Sequence, residues 1–519
     1  MGNRSWPVPR LWFGTDDYAL GVDRQGDCQC DACPMPATPV WTRGYADGLA
    51  EQLVSKEWQV QLSRDVYLSH PVRGNAVALS AQGGRVVVLD EQARRLFSAL
   101  PATRSQLRAR LPSWSDGTVD QVAALLLTFG ILSSPQVRRE PLRSGQSPTL
   151  AAWLHLTDRC TLNCTYCYVR RGKRRMSPDT ARRTVEALFR SAQAHHYTRV
   201  KLKYAGGEPT LNFVALLAAQ KRAEQLSMQT GIALEAALLT NGIRVSDEQI
   251  DALLAHNVRV TISLDGVGRF QDAQRPLADQ KGSSFALVER TIARLLARGL
   301  QPHISITITR QSLPGLPELV SYLLDKGLRF AFNFYREPDG IEQEAMAFSS
   351  EDMIAGLRAA YRVIEQKLPR YSLLSTLADR ADLQLPHLRT CGAGQNYVAI
   401  DCDGSVAKCQ MEIGHSLTTI EADDLLADVQ ADTIRVQNLP VEQKDCRTCI
   451  WRYYCTGGCP RLTFQRAGRY DARSPLCEVY RAILPEVVRL EGLRLVKYEQ
   501  PWDFSFGNGS ETFTAVNPS

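Results

Sequence analysis

Fourteen cysteines in a chain of 519 residues constrain the fold more than any other feature, because they are grouped. Cys28, Cys30 and Cys33 come first, then Cys160, Cys164 and Cys167, then Cys391, Cys402, Cys409, Cys446, Cys449, Cys455, Cys459 and Cys477. The N-terminal residues MGNRSWPVPRLWFG contain no apolar secretory core. The longest apolar run, Val122 to Leu132, falls short of the roughly twenty residues that cross a bilayer. The expectation is a cytoplasmic chain without membrane contact. Thiols stay reduced there, and clustered soft thiolates select iron-sulfur clusters or zinc over disulfides.

The apolar fraction of 44% and charged fraction of 22% exclude a disordered chain. At roughly 150 residues per domain, about three domains fit. A net charge of +6 is too dilute at this length to imply nucleic-acid or membrane binding. Residues 1–61 show no clear period and stay unassigned. Between 62 and 135, short β-type runs at 66–68, 75–80 and 85–89, with a turn signal at Gly83-Gly84, precede helical stretches at 90–99, 105–111 and 118–129. A linker follows at 133–147. From 150 to 335, strand-like runs at 152–156, 200–205, 234–239, 258–264, 302–308 and 328–334 alternate with helical patterns at 178–194, 212–229, 246–256, 284–299 and 314–326. That alternation predicts parallel β/α units, as a partial barrel or a doubly wound sheet, with active groups at strand C-termini. Residues 336–390 bridge onward through a helix at 351–368. From 391 to 490 the period breaks around eight cysteines, which predicts a fold held by metal more than by apolar burial. A helix near 478–490 closes that region, and 491–519 reads as a tail, polar from Gly507.

The strongest local signal is Cys160-Thr-Leu-Asn-Cys164-Thr-Tyr-Cys167, directly after LHLTDR. Three thiolates on one short loop can hold three irons of a 4Fe-4S cube and leave the fourth open. The competing zinc site normally takes four ligands in two pairs. Here the chain resembles the radical S-adenosylmethionine (SAM) enzymes, over residues 150–335. The resemblance implies that SAM chelates the open iron and is cleaved reductively to a 5′-deoxyadenosyl radical, with Cys160, Cys164 and Cys167 as the catalytic cluster ligands. It places Tyr166 beside the adenine. Gly206-Gly207-Glu208, at the end of the second strand, matches the family's GGE motif: the glycines allow close backbone approach and Glu208 accepts from the SAM ammonium. Thr240-Asn241-Gly242 and Ser263-Leu-Asp265-Gly266 resemble ribose and methionine contacts through Asn241 and Ser263, and both also read as capping turns.

In the C-terminal region Cys391 is followed by twelve residues, Gly404, four residues and Cys409; then come Cys446-x2-Cys449-x5-Cys455-x3-Cys459 and Cys477. Seven thiolates exceed what one cube accepts. The pattern resembles the SPASM domain, which implies two auxiliary 4Fe-4S clusters, three in all. By that resemblance Cys446, Cys449, Cys455 and Cys477 hold the outer cluster, and Cys391, Cys409 and Cys459 the inner. The position where some relatives supply a fourth inner ligand is Tyr397, so the inner iron is either open or ligated by Cys402. Sulfatase-maturing relatives carry an aspartate where this chain has Gln410, which argues against that activity.

Residues 62–135, a β-hairpin and three helices, resemble the recognition element of ribosomal peptide maturation, a winged-helix-like module that captures a leader peptide by strand addition to the hairpin edge. A DNA-binding winged helix shares the element order, but eight Arg against five acidic residues over 61–130 make a weak DNA surface, and no nucleic acid is expected. Together these resemblances imply an α/β chain with a partial (β/α)6 TIM-like barrel, an N-terminal winged-helix-like domain and a C-terminal cysteine-rich SPASM domain. The implied activity is installation of a thioether or carbon-carbon crosslink in a precursor peptide bound through its leader, with a flavodoxin or ferredoxin as reductant. The alternatives are oxidation of a protein side chain or smaller substrate without crosslinking, an electron carrier, and an iron-sulfur redox-responsive DNA-binding regulator. The basic run Arg170 to Arg175 reads as a solvated loop or a reductant dock. Cys28, Cys30 and Cys33 read as a further metal site or unligated thiols, and His155, His195 and His196 as packing or surface residues.

Overall fold

The chain divides into two units, the first with antiparallel strands alone among the described residues and the second built on parallel ones. The computed structural model describes residues 9–13, 57–70, 74–81, 84–137, 147–337, 346 and 349–503. The Gly83 turn position, Cys28, Cys30 and Cys33, the linker over 138–146 and the polar tail from Gly507 lie outside the described residues.

The first unit contains β1 (Arg10–Phe13), β2 (Gln59–Leu62), β3 (Val66–Leu68), β4 (Ala76–Ser80), β5 (Val86–Leu89), β6 (Ala102–Thr103) and β7 (Leu132–Ser133). Helices Glu91–Ser98, Arg104–Arg110 and Asp116–Thr128 carry the caps that stop them: Asp90 accepts from the Ala93 amide, and Thr103 and Gln106 form a capping box. The third helix starts two residues earlier than the sequence pattern suggests, because Ser115 is its N-cap. Val119, Val122 and Leu126 of that helix are fully buried with Val87 and Leu89 of β5.

Two segments outside 62–135 complete this unit. β1 pairs antiparallel with β5, Leu11 opposite Leu89 and Phe13 opposite Val87, and Trp502–Asp503 pairs with the other side of β1. Leu11 is fully buried, and the Phe13 ring meets Phe129 edge-on with centroids 5.0 Å apart. The β5 edge of the hairpin is therefore taken by the chain itself, and β3 ends the sheet on its other side. The presumed tail also begins later: the helix Cys477–Tyr498 continues past 490 because Leu495 is buried and Gly492 lies so close to Val77 of β4 that a Cβ would meet it at 2.5 Å.

The second unit is built on β8 (Thr149–His155), β9 (Arg199–Ala205), β10 (Ala233–Thr240), β11 (Arg259–Ser263), β12 (His303–Ile308) and β13 (Phe330–Phe334). Consecutive strands are neighbours and all pair parallel. Each crossover thus steps one strand in the same direction, the order of an open barrel; a doubly wound sheet reverses direction at a switch point. Helix Pro178–Ala194 starts on its Ser177 cap with proline in the first turn, Phe213–Thr230 ends at left-handed Gly231, and Asp247–Ala255 opens on a Ser246/Gln249 capping box.

The sheet does not stop at six strands. β14 (Tyr397–Ile400) adds parallel to β8, Tyr397 opposite Ala151 and Ile400 opposite Leu154, and β15 (Ser405–Ala407) and β16 (Thr418–Thr419) follow antiparallel. All four β14 residues are buried. The start of the cysteine-rich region is therefore anchored by apolar burial, contrary to the expectation of a fold held chiefly by metal.

Candidate functional site

The loop bearing Cys160, Cys164 and Cys167 leaves β8 and is gripped on two sides. Asp158 donates its amide to the Arg174 carbonyl at 3.1 Å, while Asn163 and Thr165 donate theirs to Pro276 and Gln274 at 2.7 and 3.0 Å. Cys160 and Cys164 are half-buried and Cys167 is exposed, and all three are free thiols. Burial pushes Cys164 up to about 12, opposed by the Arg275 guanidinium, and raises Cys160. The three sulfurs act electrostatically on one another. Three converging thiols, one open to solvent, fit a cluster that has a vacant coordination position; the cluster's own charge would supply what three thiolates need to stay deprotonated.

Gly206 and Gly207 serve this loop. A Cβ on Gly206 would meet the Thr157 carbonyl oxygen at 2.6 Å, and one on Gly207 would overlap the Arg159 carbonyl. The gap closes through Gly207 N–H to the Thr157 carbonyl at 2.7 Å and Glu208 N–H to the Arg159 carbonyl at 2.8 Å. Close approach is thus to the chain's own cysteine loop. Glu208 is buried, and its Oε1 accepts from the Thr210 amide, Thr210 Oγ1 and Thr240 Oγ1 at 3.1, 2.7 and 2.8 Å. Its Oε2 accepts from the Asn241 amide at 2.8 Å. Burial raises the carboxyl and these donors oppose the rise. Glu208 therefore ties the ends of β9 and β10 together, with remaining acceptor capacity on Oε2.

Asn241 reaches the cysteine loop directly: Nδ2 lies 3.5 Å from Cys160 Sγ and donates to Thr161 Oγ1 at 3.1 Å, while Oδ1 accepts from Ile243 N at 3.0 Å. Tyr166 turns its hydroxyl to Asp265 Oδ2 at 2.7 Å. Ser263 closes β11, half-buried, opposite Ser305. The ends of β8, β9, β10 and β11 thus converge on one loop. Sequence reasoning passed over Arg275 and Gln274, which hold Asp265 from the far side; the only local signal was an Arg-Pro pair ending a short helix, Arg269–Gln274.

Further along, the thiols sort into two neighbourhoods. Cys455 is acted on by Cys446, Cys449 and Cys477, and Cys409 by Cys459 and Cys391. Lys444, buried, lies within reach of Cys446, Cys391, Cys455 and Cys459, and donates Nζ to the Thr456 carbonyl at 2.7 Å. Burial alone would raise Cys459, but Arg336 and Arg380 outweigh it and hold the thiol below its ordinary value. Cys402 stands elsewhere: it donates to the His155 carbonyl at 3.2 Å and has Asp401 and Asp158 beside it, with burial pushing it up to about 12. His155, Asp158, Asp401 and Cys402 form one buried cluster, whose carboxylates Arg174 already pairs, Asp158 at 2.7 Å and Asp401 at 2.8 Å. Tyr397 donates to Gln410 Oε1 at 2.8 Å. Burial raises the Tyr168 hydroxyl, and the Cys167 and Cys409 thiols add to the rise.

Residues 154–316 match the family described as the Radical SAM superfamily. The match includes the cysteine loop, Gly206 to Glu208, Asn241, Ser263, Asp265 and Arg275, and none of the C-terminal cysteines. The PqqA peptide cyclase of Rhodopseudomonas palustris is 25% identical over 353 residues, 63% of this chain and 86% of that protein. The sporulation killing factor maturation protein SkfB of Bacillus subtilis is 25% identical over 331 residues, 61% and 72% of the two chains. The chain spans about three-fifths of the length of the first curated relatives it matches, 59% and 61%. Among solved structures, native anSMEcpe with bound AdoMet and Kp18Cys peptide aligns with a TM-score of 0.56 at 18% identity, over 67% of this chain and 99% of that one. At that identity the likeness is one of fold. Among the described residues no helix is long and apolar enough to cross a membrane.

Proposed function

From the radical SAM domain that residues 154–316 carry, we propose that this chain is a maturase that oxidatively crosslinks a ribosomally made peptide, forming a thioether or a carbon-carbon bond. The observation that carries the reading is the convergence of three free thiols with Asn241 and Glu208 at neighbouring strand ends. With a 4Fe-4S cluster and SAM bound, the site supplies a 5′-deoxyadenosyl radical that removes hydrogen from an unactivated C–H bond. Cys160, Cys164 and Cys167 hold the cluster, Tyr166 flanks the adenine, Gly206 and Gly207 let the motif dock on the cysteine loop, and Glu208, Asn241 and Ser263 orient the cofactor.

Crosslinking removes two hydrogens, so after the first hydrogen atom the substrate must lose a second electron, and a proton that passes to solvent. Cys446, Cys449, Cys455 and Cys477, and separately Cys391, Cys409 and Cys459, are proposed to hold auxiliary clusters that take it. Their two neighbourhoods support this division. With Cys402 committed to the His155 carbonyl, the inner set has three thiols and a place for a substrate group. A peptide substrate is favoured by the peptide cyclase and maturation protein among the relatives. The first unit is proposed as the leader-binding module; with β5 covered by β1, β3 is the edge that ends its sheet. Arg170, Arg171 and Lys173, exposed beside the exposed Cys167, suit an acidic flavodoxin or ferredoxin.

The test is anaerobic coexpression with a short peptide encoded beside this chain, followed by mass spectrometry. A loss of two hydrogens located to two joined residues is expected. An unchanged mass with intact clusters and SAM cleavage contradicts the peptide reading.

A further inference from the structure

Resting on the reading that Cys160, Cys164 and Cys167 hold the SAM-cleaving cluster, we propose that the buried Arg275–Asp265 pair is a charge-setting clamp that fixes the reduction potential of that cluster from its Cys164 corner.

Asp265 is fully buried and surrounded by donors. Its Oδ2 accepts from Arg275 Nε at 2.5 Å, Tyr166 Oη at 2.7 Å and Gln274 Nε2 at 2.8 Å; its Oδ1 accepts from the Thr307 amide at 2.7 Å and faces Arg275 Nη2 at 3.4 Å. The fork of Arg275 is thereby fixed, and the remaining arm, Nη1, lies 3.9 Å from Cys164 Sγ. The guanidinium also stands over the Tyr166 ring, 5.2 Å from its centroid. The same segment grips the loop backbone through the Gln274 and Pro276 carbonyls.

One buried cation therefore touches a cluster ligand and the aromatic residue beside it, and one buried carboxylate partly cancels that cation. Desolvated charges act strongly on their neighbours. Reduction adds an electron to the cluster, so a cation at Cys164 favours the reduced form and the Asp265 carboxylate opposes it. Arg275 and Asp265 are positioning residues: neither is a ligand. If the pair were only scaffolding, losing either member would loosen the loop in the same way. A charge device demands opposite shifts.

The experiment is an EPR titration of the reconstituted full-length holoprotein at poised potentials, following the component whose spectrum changes when SAM is added. Arg275→Gln should lower the reduced-to-oxidised ratio at fixed potential by about tenfold, a one-electron shift of about 59 mV in the negative direction. Asp265→Asn should shift it in the positive direction, and Arg275→Lys, keeping the charge, should stay nearer wild type than Arg275→Gln. Equal iron content with no shift, or shifts of the same sign, overturns the clamp. Should Arg275→Gln lose its cluster, a positive shift in Asp265→Asn beside a near-wild-type Arg275→Lys supports the clamp, and wild-type potential in Asp265→Asn overturns it. A wild-type protein without any SAM-responsive component overturns the functional reading; a responsive wild type with unmoved variants overturns the clamp alone.

Discussion

The two cysteine-bearing regions of the second unit differ in how they are built. In the barrel, three thiols sit within eight residues, Cys160 to Cys167, on a loop held between the Arg174 and Gln274–Pro276 backbones and backed by a parallel sheet whose strands are largely buried. In the C-terminal region, seven thiols are spread from Cys391 to Cys477 and meet through turns, including three successive left-handed residues, Thr456, Gly457 and Gly458. Buried ions lie beside apolar side chains such as Leu425, Val441 and Tyr454 there: Lys444, and Arg461 with Glu412. The first region has its thiols on a scaffold built by backbone pairing; the proposed clusters of the second would join segments far apart in the chain, so its order beyond β14 is expected to depend on metal.

The largest expected effect separates the two regions chemically. Cys164→Ala should abolish 5′-deoxyadenosine formation, whereas Cys459→Ala should leave SAM cleavage measurable by chromatography and stop peptide crosslinking. Loss of cleavage in both variants would dissolve the distinction. Next comes metal removal. Anaerobic chelation of iron should expose the amides of 440–477 to rapid hydrogen exchange while β8 to β12 stay protected; uniform deprotection would mean that the barrel also depends on its cluster.

Acid should act on the same boundary. His387 donates its amide to the Tyr453 carbonyl at 2.8 Å, and burial lowers its imidazole to about 4, with the Lys444 charge adding. Its neutral form is the folded one, so its contribution is complete above the ordinary value of 6.5 and is lost as pH falls toward 4, a swing of roughly 3 kcal/mol. Denaturant titration of the second unit between pH 7 and pH 4 should show this loss, and His387→Gln should flatten it. The smallest effect is steric. Gly207→Ala drives a methyl into the Arg159 carbonyl and should cost about 1–3 kcal/mol, read as a lowered thermal midpoint together with weaker SAM binding.

Much of the barrel was legible because its signals are local. The helix at 178–194 is bounded by a Ser-Pro start, and each strand is a short apolar run between turn residues. The cysteine loop was legible for the same reason. What escaped is non-local. β1 pairs with a strand more than seventy positions away, and four residues carry no period of their own. β14 looks like a fragment among cysteines until β8 stands beside it. The docking of Gly206 and Gly207 on the Thr157–Arg159 backbone joins strand ends about fifty positions apart. Asp265 was noted as a motif letter, but its meeting with Tyr166 and Arg275 joins residues about a hundred positions apart.

One measurement bears most directly on the whole reading: 5′-deoxyadenosine and methionine released from SAM by anaerobically reconstituted, dithionite-reduced full-length protein. Stoichiometric or greater release, absent when Cys160, Cys164 and Cys167 are replaced by alanine, is the expected result. A protein that assembles its iron and sulfide yet never cleaves SAM would contradict it.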